Sequence, residues 1–201
     1  TMIMSLPYSL KYSLGPLILA FITTLAFFFE PASGQYFAYD RYAIQGLETW
    51  RLLTGNLVHT NGYHLLLNLA GVVLLWALHG EHYRAGLYLK VFAGCGLGTS
   101  AGLYFYAPDL IWYAGLSGAL HGIFAWGACM DILNRMKSGW VLLAGVAVKV
   151  IYEQTVGGSA DVAALIDAKV AIDAHLFGAM SGVLLFFLMW LTKLPFRKTA
   201  K

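Results

Sequence analysis

The chain has 201 residues, of which 59% are hydrophobic and 11% are charged, and its formal net charge is +3. Soluble domains contain about 25% charged and about 45–50% apolar residues, so this composition argues against an ordinary soluble domain. It also argues against a disordered chain and against a nucleic-acid-binding protein, because both need many charged residues.

Six apolar segments are long enough to cross a bilayer, whose hydrocarbon core of about 30 Å needs roughly 20 helical residues. The fifth segment contains Lys149 and Glu153, which lie i,i+4 on one helix face and are spaced to pair. We therefore predict an all-α polytopic membrane protein, a bundle of six transmembrane helices forming a single domain over residues 1–201. The predicted spans are residues 12–29, 62–80, 86–106, 116–133, 138–155 and 173–192.

Basic residues predict the orientation, because cytoplasmic loops of membrane proteins carry an excess of Lys and Arg. With the N-terminus in the cytoplasm, nine of the thirteen basic residues lie inside. These nine are Lys11, Arg84, Lys90, Arg135, Lys137, Lys193, Arg197, Lys198 and Lys201. We expect both termini to be cytoplasmic and two long loops, roughly residues 30–60 and 155–172, to face the opposite side.

Polar residues occur near the outer ends of the even-numbered spans, which all run from outside to inside. Span 2 carries His64 and Asn68, span 4 opens with Ser117, and span 6 opens with His175. An ionisable residue inside a membrane span is a functional hypothesis by default. The common depth of these residues favours a shared site over unrelated polar contacts.

Glycine pairs predict how spans 4 and 6 meet. Gly118 and Gly122 form one small-x-x-x-small pair, and Gly178 and Gly182 form another. Such pairs let membrane helices approach closely, which could bring the serine of span 4 against the histidine of span 6. Taken singly, however, each feature has an ordinary explanation: glycines for packing, a serine bonded to its own helix, or a histidine bridging two helices.

A serine within hydrogen-bond reach of a histidine has the makings of a nucleophile and its general base. His64 and Asn68, on one helix face, could donate hydrogen bonds to a developing oxyanion, together with the backbone N–H of Ser117 at a helix start. Asp173 lies only two residues before His175, and we expect it to have an N-cap or loop role rather than to act as a catalytic carboxylate.

Other titratable residues receive structural interpretations. His79 and His82 flank Glu81 at the cytoplasmic side and are expected to form a solvated turn. Cys95 and Cys129 fall inside apolar spans and are expected to be small packing residues rather than a disulfide. The pattern His-Glu-x-x-His is missing from the sequence, which disfavours a zinc protease.

The order and spacing of these motifs resemble the rhomboid family of intramembrane serine proteases over nearly the whole chain. The matching motifs are Gly115-Leu-Ser117-Gly118, His175-x-x-Gly178-x-x-x-Gly182, His64-x-x-x-Asn68, Trp50-Arg51 and His59. The resemblance implies a catalytic dyad of Ser117 and His175, an oxyanion site of His64, Asn68 and the Ser117 amide, and no metal or cofactor. It also implies that Trp50 and Arg51 seat the first outer loop and that His59 holds its neighbourhood together.

Within that family the chain resembles most the rhombosortase subgroup, on the motifs Glu48-Thr-Trp50-Arg51, Trp112-Tyr113-Ala-Gly115, Glu153-Gln154 and Asp173-Ala-His175. The subgroup implies a bacterial inner-membrane enzyme with its active site toward the periplasm. Its implied substrates are secreted proteins that end in a Gly-Gly motif, a single membrane helix and a basic tail. No nucleic acid is expected as a partner.

Three residues near the predicted site have open roles. His121 stands where most rhomboids carry a Tyr that stacks near the catalytic histidine, which weakens transfer of the stacking role and raises the possibility that His121 tunes or holds His175. Glu153 and Gln154 could contact substrate or gate its passage between spans 2 and 5, or Glu153 could simply pair with Lys149.

Two other function classes remain open at this point. One is a rhomboid-like protein without protease activity that binds membrane clients, although such relatives usually lose the serine or the histidine. The other is a small transporter that uses His64, His121 and His175 as a proton relay, which should show paired carboxylates deep in the spans.

Overall fold

The computed structural model describes residues 6–192, and within this range the chain is almost entirely helical. Its helices are α1 (Leu10–Phe28), α2 (Ala32–Phe37), α3 (Arg41–Gln45), α4 (Arg51–Thr54), α5 (Gly62–His79), α6 (Ala85–Tyr106), α7 (Ser117–Leu133), α8 (Ser138–Val156), α9 (Ala160–Ile166) and α10 (Ile172–Thr192). Two short strands, β1 (Tyr39–Asp40) and β2 (Trp112–Tyr113), pair antiparallel. The predicted all-α fold class is confirmed.

The six long helices, α1, α5, α6, α7, α8 and α10, begin and end within two residues of the predicted spans. Four of them, α1, α5, α8 and α10, are long and apolar enough to cross a membrane by length and composition. Helix α7 has only 17 residues, and twelve of them are buried. Helix α7 therefore faces other helices rather than lipid. A helix in this position does not need a long apolar outer surface.

Glycines set the contact between α7 and α10. A Cβ atom on Gly178 would overlap the carbonyl oxygen of Gly118, and a Cβ atom on Gly182 would overlap that of Gly122. The two backbones therefore touch at two successive turns, as the small-x-x-x-small pairs predicted. This close approach positions the first turns of both helices against each other.

A second glycine stripe, which the sequence analysis did not single out, lies on α6. Gly94, Gly98 and Gly102 follow one another at intervals of four residues. A Cβ on each would press into side chains of α10, respectively Leu185, Ser181 and Phe177. Helix α10 is therefore held between α6 and α7 by close packing on both sides.

Polar contacts join the loops at the end of the bundle where α7 begins. The β1–β2 pair, with Tyr39 opposite Tyr113, ties the segment after α1 to the segment before α7. The buried guanidinium of Arg41 donates to the carbonyl oxygens of four residues at the end of α6, namely Leu103, Tyr104, Ala107 and Leu110. A cation is favourable there because the last carbonyls of a helix lack intrahelical partners.

Trp50 and Arg51 also hold this loop region. The indole of Trp50 donates to the carbonyl oxygen of Tyr36 at 3.1 Å. The guanidinium of Arg51 donates to the carbonyl oxygens of Ala38 and Gln35, both at 2.9 Å, and to Glu48. Both side chains thus bind backbone of the loop between α1 and α5.

The expected solvated turn at His79 and His82 is wrong. His79 is buried, and its Nδ1 lies 3.0 Å from Oδ2 of Asp131, while Nε2 of His82 lies 2.7 Å from Oδ1 of the same carboxylate. The reason is that Asp131 is 1% exposed, and a buried carboxylate needs hydrogen-bond partners. This cluster joins α5 and α7 at the end of the bundle opposite Ser117.

Candidate active site

Ser117 and His175 form a hydrogen-bonded pair at one end of the bundle. Ser117 is the first residue of α7, His175 lies in the first turn of α10, and Oγ of the serine is 3.0 Å from Nε2 of the histidine. His175 is buried, whereas Ser117 is partly exposed. The arrangement leaves the hydroxyl accessible and its histidine partner sheltered from water.

Glu153, from α8, contacts the other nitrogen of the same histidine. Its Oε2 lies 2.8 Å from Nδ1 of His175, and its Oε1 accepts from Nζ of Lys149 at 2.7 Å. Glu153 is only 8% exposed, so both carboxylate oxygens are used inside the protein. The expected Lys149–Glu153 pair is therefore present, but it is one half of a longer chain of contacts.

Glu153 and Gln154, for which substrate contact and gating were left open, have different surroundings. Glu153 lies behind His175 and is not part of the cavity wall described below. Gln154 is exposed and its amide donates to Oδ1 of Asp173 at 3.2 Å. Asp173 in turn is inside the first turn of α10 rather than capping it, because the helix begins one residue earlier, at Ile172.

His121 stacks on His175. The two imidazole rings have centroids 4.1 Å apart and are inclined by 17°, and Nδ1 of His121 lies 2.7 Å from the backbone oxygen of Ser117. Since a carbonyl oxygen only accepts, the Nδ1–H of His121 is the donor. The substitution of His for Tyr made transfer of the stacking role doubtful, but the stacking contact itself is present, because an imidazole provides the same kind of flat face as an aromatic ring.

His121, Glu153 and His175 bring three potential metal-ligating atoms within 4.8 Å of one another. The lone pairs of an imidazole lie in the plane of its ring, and the two rings here are stacked nearly parallel. They cannot point at one ion without rotating out of the stack and breaking the bonds to Ser117. This geometry fits a hydrogen-bonded array better than a metal centre.

A cavity of about 1070 Å³ opens in front of the pair. Its polar wall contains His64, Asn68, Ser117, His121 and His175. Its apolar wall includes Leu67 and Leu74 of α5 and Phe124 of α7, and Val162 and Ile166 of α9 lie along it. An apolar cleft with a few convergent polar groups is the usual form of a binding site for an apolar substrate segment.

Asn68 presents an unpaired donor to this cavity. The residue is 4% exposed, and its Nδ2 has no hydrogen-bond partner among residues 6–192. A buried amide without a partner costs about 1–3 kcal/mol, so such groups are uncommon and call for an explanation. The amide N–H groups of Asn68 are therefore available to an acceptor in the cavity.

His64 is connected to α9 through Thr60. The Thr60 hydroxyl lies 3.0 Å from Nδ1 of His64 and donates to the backbone oxygen of Ile166 at 2.6 Å. One hydroxyl proton cannot serve both neighbours. The neutral imidazole carries an Nε2–H only when Nδ1 is an acceptor, either from the Thr60 hydroxyl or from the backbone N–H of Thr60 at 3.5 Å, so its donor role depends on its tautomer.

His59 packs edge-on against His64, with ring centroids 5.0 Å apart and an interplanar angle of 80°. Burial, with a smaller contribution from His64, lowers the pKa of His59 to about 3 from its ordinary value of 6.5. The ring is therefore neutral at physiological pH. Its contact with His64 is a packing contact between the two rings.

Gly115 and Tyr113 shape the backbone just before Ser117. Gly115 has φ of +134°, and a Cβ on it would lie 2.7 Å from the ring of His64, so glycine satisfies both constraints at once. The buried hydroxyl of Tyr113 donates to the carbonyl oxygen of Gly115 at 2.6 Å. The sequence analysis quoted Tyr113 within a motif but assigned it no role, because its contact with Gly115 depends on the conformation of the backbone between them.

These features define an integral membrane protein with a serine–histidine pair at the base of a partly apolar cavity. Residues 46–192 match the family model described as the rhomboid domain. Over 141 residues the chain is 32% identical to "Putative rhomboid protease YdcA" of Bacillus subtilis (strain 168). The aligned segment covers 70% of this chain and 67% of that protein. The chain belongs to the rhomboid family, and membership implies an intramembrane serine protease that acts on membrane proteins.

Proposed function

We propose that the chain is a serine endopeptidase that cleaves single-span membrane-anchored proteins, with Ser117 as nucleophile and His175 as general base. The observation that supports this most directly is the 3.0 Å contact between Oγ of Ser117 and Nε2 of His175 at the cavity wall. A serine becomes a competent nucleophile when a positioned base accepts its proton.

The proposed reaction uses both residues twice. Oγ of Ser117 attacks the scissile carbonyl carbon while Nε2 of His175 takes the hydroxyl proton, and the imidazolium then gives this proton to the leaving amine. The result is an acyl-enzyme and a released amine fragment. Water, deprotonated by His175, then attacks the acyl carbon. The bond between this carbon and Oγ breaks, and the imidazolium returns its proton to Oγ, which restores the serine hydroxyl.

Three groups are proposed to stabilise the negative charge on the tetrahedral intermediate. The backbone N–H of Ser117 lies in the first turn of α7, where N–H groups have no intrahelical partner. The amide of Asn68 and, in the appropriate tautomer, the imidazole of His64 line the same cavity. Donors aimed at a developing oxyanion commonly contribute about 10²–10³ in kcat each.

Asn68→Leu tests this assignment while keeping the number of side-chain heavy atoms and the branching pattern. We expect kcat to fall by about 10²–10³ while KM changes little, because the lost donor acts on the intermediate rather than on the bound substrate. The thermal unfolding midpoint should not fall, since an unpaired buried amide is replaced by an apolar group. An unchanged kcat, or a loss explained by unfolding, would contradict the role.

Charge distribution supports an orientation with the active site toward the periplasm of a bacterial inner membrane. Lys11, Arg84, Lys90, Arg135 and Lys137 are exposed and lie at the helix ends opposite Ser117. At the Ser117 end, the buried Arg41 and Arg51 are occupied by backbone carbonyls. The basic residues Lys193, Arg197, Lys198 and Lys201 lie outside the described residues, as does the expected cytoplasmic C-terminus.

The proposed substrates carry a Gly-Gly motif, one membrane helix and a basic cytoplasmic tail, as the resemblance to rhombosortases implies. Glycines make a helix end easy to unwind into the extended form that a nucleophile can reach. Their lack of side chains also suits a backbone approach to Ser117 between the stacked imidazoles and α5. The apolar wall of the cavity would accept the adjoining apolar residues.

Co-expression with a secreted protein that bears such a C-terminal tail tests the substrate class. We expect the native enzyme to remove the tail and His175→Ala to leave it in place. A matched substrate with Leu-Leu in place of Gly-Gly should be cleaved much less. Equal trimming by both enzymes would overturn the catalytic assignment, and equal trimming of both substrates would overturn the Gly-Gly preference alone.

A further inference from the structure

We propose that Glu153 is a positioning residue that completes a Ser117–His175–Glu153 triad, where the resemblance to the family implies a dyad. This inference rests on the proposed function, because it assigns a role within the same reaction. Glu153 lies on α8, and its carboxylate holds His175, the general base, through the ring nitrogen that does not contact Ser117.

The contacts form a continuous chain across three helices. Oγ of Ser117 lies 3.0 Å from Nε2 of His175, and Nδ1 of the same ring lies 2.8 Å from Oε2 of Glu153. These distances fall within the range of ordinary hydrogen bonds. The histidine thus has a partner at each nitrogen, as the base of a serine hydrolase triad does.

The carboxylate fixes which nitrogen carries the proton. An ionised carboxylate only accepts hydrogen bonds, so Nδ1 of His175 must hold a hydrogen. Nε2 is then free to accept the proton of Ser117, as the proposed attack requires. When Nε2 becomes protonated, the adjacent negative charge stabilises the imidazolium, and the Nδ1 proton stays on the ring.

Two further contacts keep the array in place. The imidazole of His121 covers one face of His175, which limits rotation of that ring. Nζ of Lys149 donates to Oε1 of Glu153 at 2.7 Å, which leaves Oε2 as the oxygen that faces the histidine. The carboxylate is therefore oriented by a second residue, one helical turn away on α8.

The lysine makes a sharp test possible. In Glu153→Gln, Lys149 can only donate, so the amide oxygen should turn toward Lys149 and the amide NH₂ toward His175. Nδ1 would then have to accept, which moves the ring proton to Nε2 and blocks acceptance from Ser117. In the double variant Lys149→Met with Glu153→Gln, the amide is free to turn its oxygen back toward the histidine.

We expect Glu153→Gln to lower kcat by about 10²–10⁴ with KM changed less than about threefold, by analogy with the loss caused by a wrong histidine tautomer in serine proteases. The double variant should recover at least about tenfold of that loss, and Lys149→Met alone is the control. A residue that serves folding alone would not give recovery upon a second substitution. Thermal unfolding of each variant shows whether the chain remains folded.

Tautomer measurement provides a readout that needs no functional variant. In the native protein labelled with ¹⁵N-histidine, the signal that disappears in His175→Ala should show a protonated Nδ1 and an unprotonated Nε2. The opposite tautomer in the native protein would overturn the proposal. The proposal would also be overturned if kcat of Glu153→Gln stayed within about twofold of the native value while Ser117→Ala was inactive. That result would leave the proposed protease function intact. Activity in Ser117→Ala would instead overturn the protease function itself.

Discussion

Ser117→Ala should abolish cleavage of a membrane-anchored substrate, with kcat reduced by at least about 1,000-fold. Removal of the nucleophile of a serine protease costs this much or more, because the remaining groups can only bind and polarise the substrate. The loss of one hydroxyl at a partly exposed helix start should leave folding unchanged. Purified enzyme in detergent, with a fluorogenic transmembrane substrate, gives the rate.

Ser181→Ala is the matched control. Ser181 is also a serine of the helical bundle, but its hydroxyl donates to the backbone oxygen of Phe177 at 2.6 Å and has no histidine partner in the described chain. We expect near-native cleavage by this variant. A fluorophosphonate probe should label the native enzyme and Ser181→Ala but not Ser117→Ala. Labelling or cleavage that persists without the Ser117 hydroxyl would end the assignment.

Gly182→Ala should cause the second large effect, although it lies two helical turns from His175. The added methyl group would overlap the carbonyl oxygen of Gly122, so α10 must move away from α7. Overpacking of a tight contact commonly costs about 1–3 kcal/mol, and here the obstacle is backbone, which cannot change rotamer. Because α10 carries His175, we expect at least a tenfold fall in kcat together with a lower unfolding midpoint.

Gly145→Ala controls for the substitution itself. Gly145 lies on the exposed face of α8, and a Cβ there meets no atom within 4 Å. Alanine is favoured over glycine in a helix by about 1 kcal/mol, so stability should hold or rise slightly. If Gly182→Ala behaved like Gly145→Ala in both cleavage and thermal unfolding, close packing of α7 on α10 would not be what positions the histidine.

The apolar patterning was sufficient to predict the six long helices but not the short ones α2, α3, α4 and α9, because an apolar run of about 20 residues in a membrane has no alternative to a helix that satisfies its backbone. The bounds of the long helices follow charges and turn residues that are visible in the sequence. Motif spacing was likewise sufficient to predict the rhomboid family, which the comparison with known proteins confirmed. The rhombosortase subgroup and its substrates remain a prediction.

Of the two contacts that Glu153 makes, only one could be predicted from the sequence. Its i,i+4 partner Lys149 could be predicted, because helical spacing relates residues within one segment. Its contact with His175, 22 residues away on another helix, could not, because no local pattern states how α8 is rotated against α10. The nearer carboxylate, Asp173, attracted attention by its position in the chain, yet its Oδ1 bonds to exposed Gln154.

The sequence by itself determined the six long apolar segments, and it predicted that a serine, two histidines and an asparagine lie near the same end of the even-numbered segments, because period and hydropathy are local properties. Only the tertiary structure decided which of these groups touch. It placed Glu153 and His121 on His175, left the amide of Asn68 unpaired at the cavity, and buried His79 against Asp131. Those outcomes depend on helix rotation and close approach, which are set by packing among several helices at once.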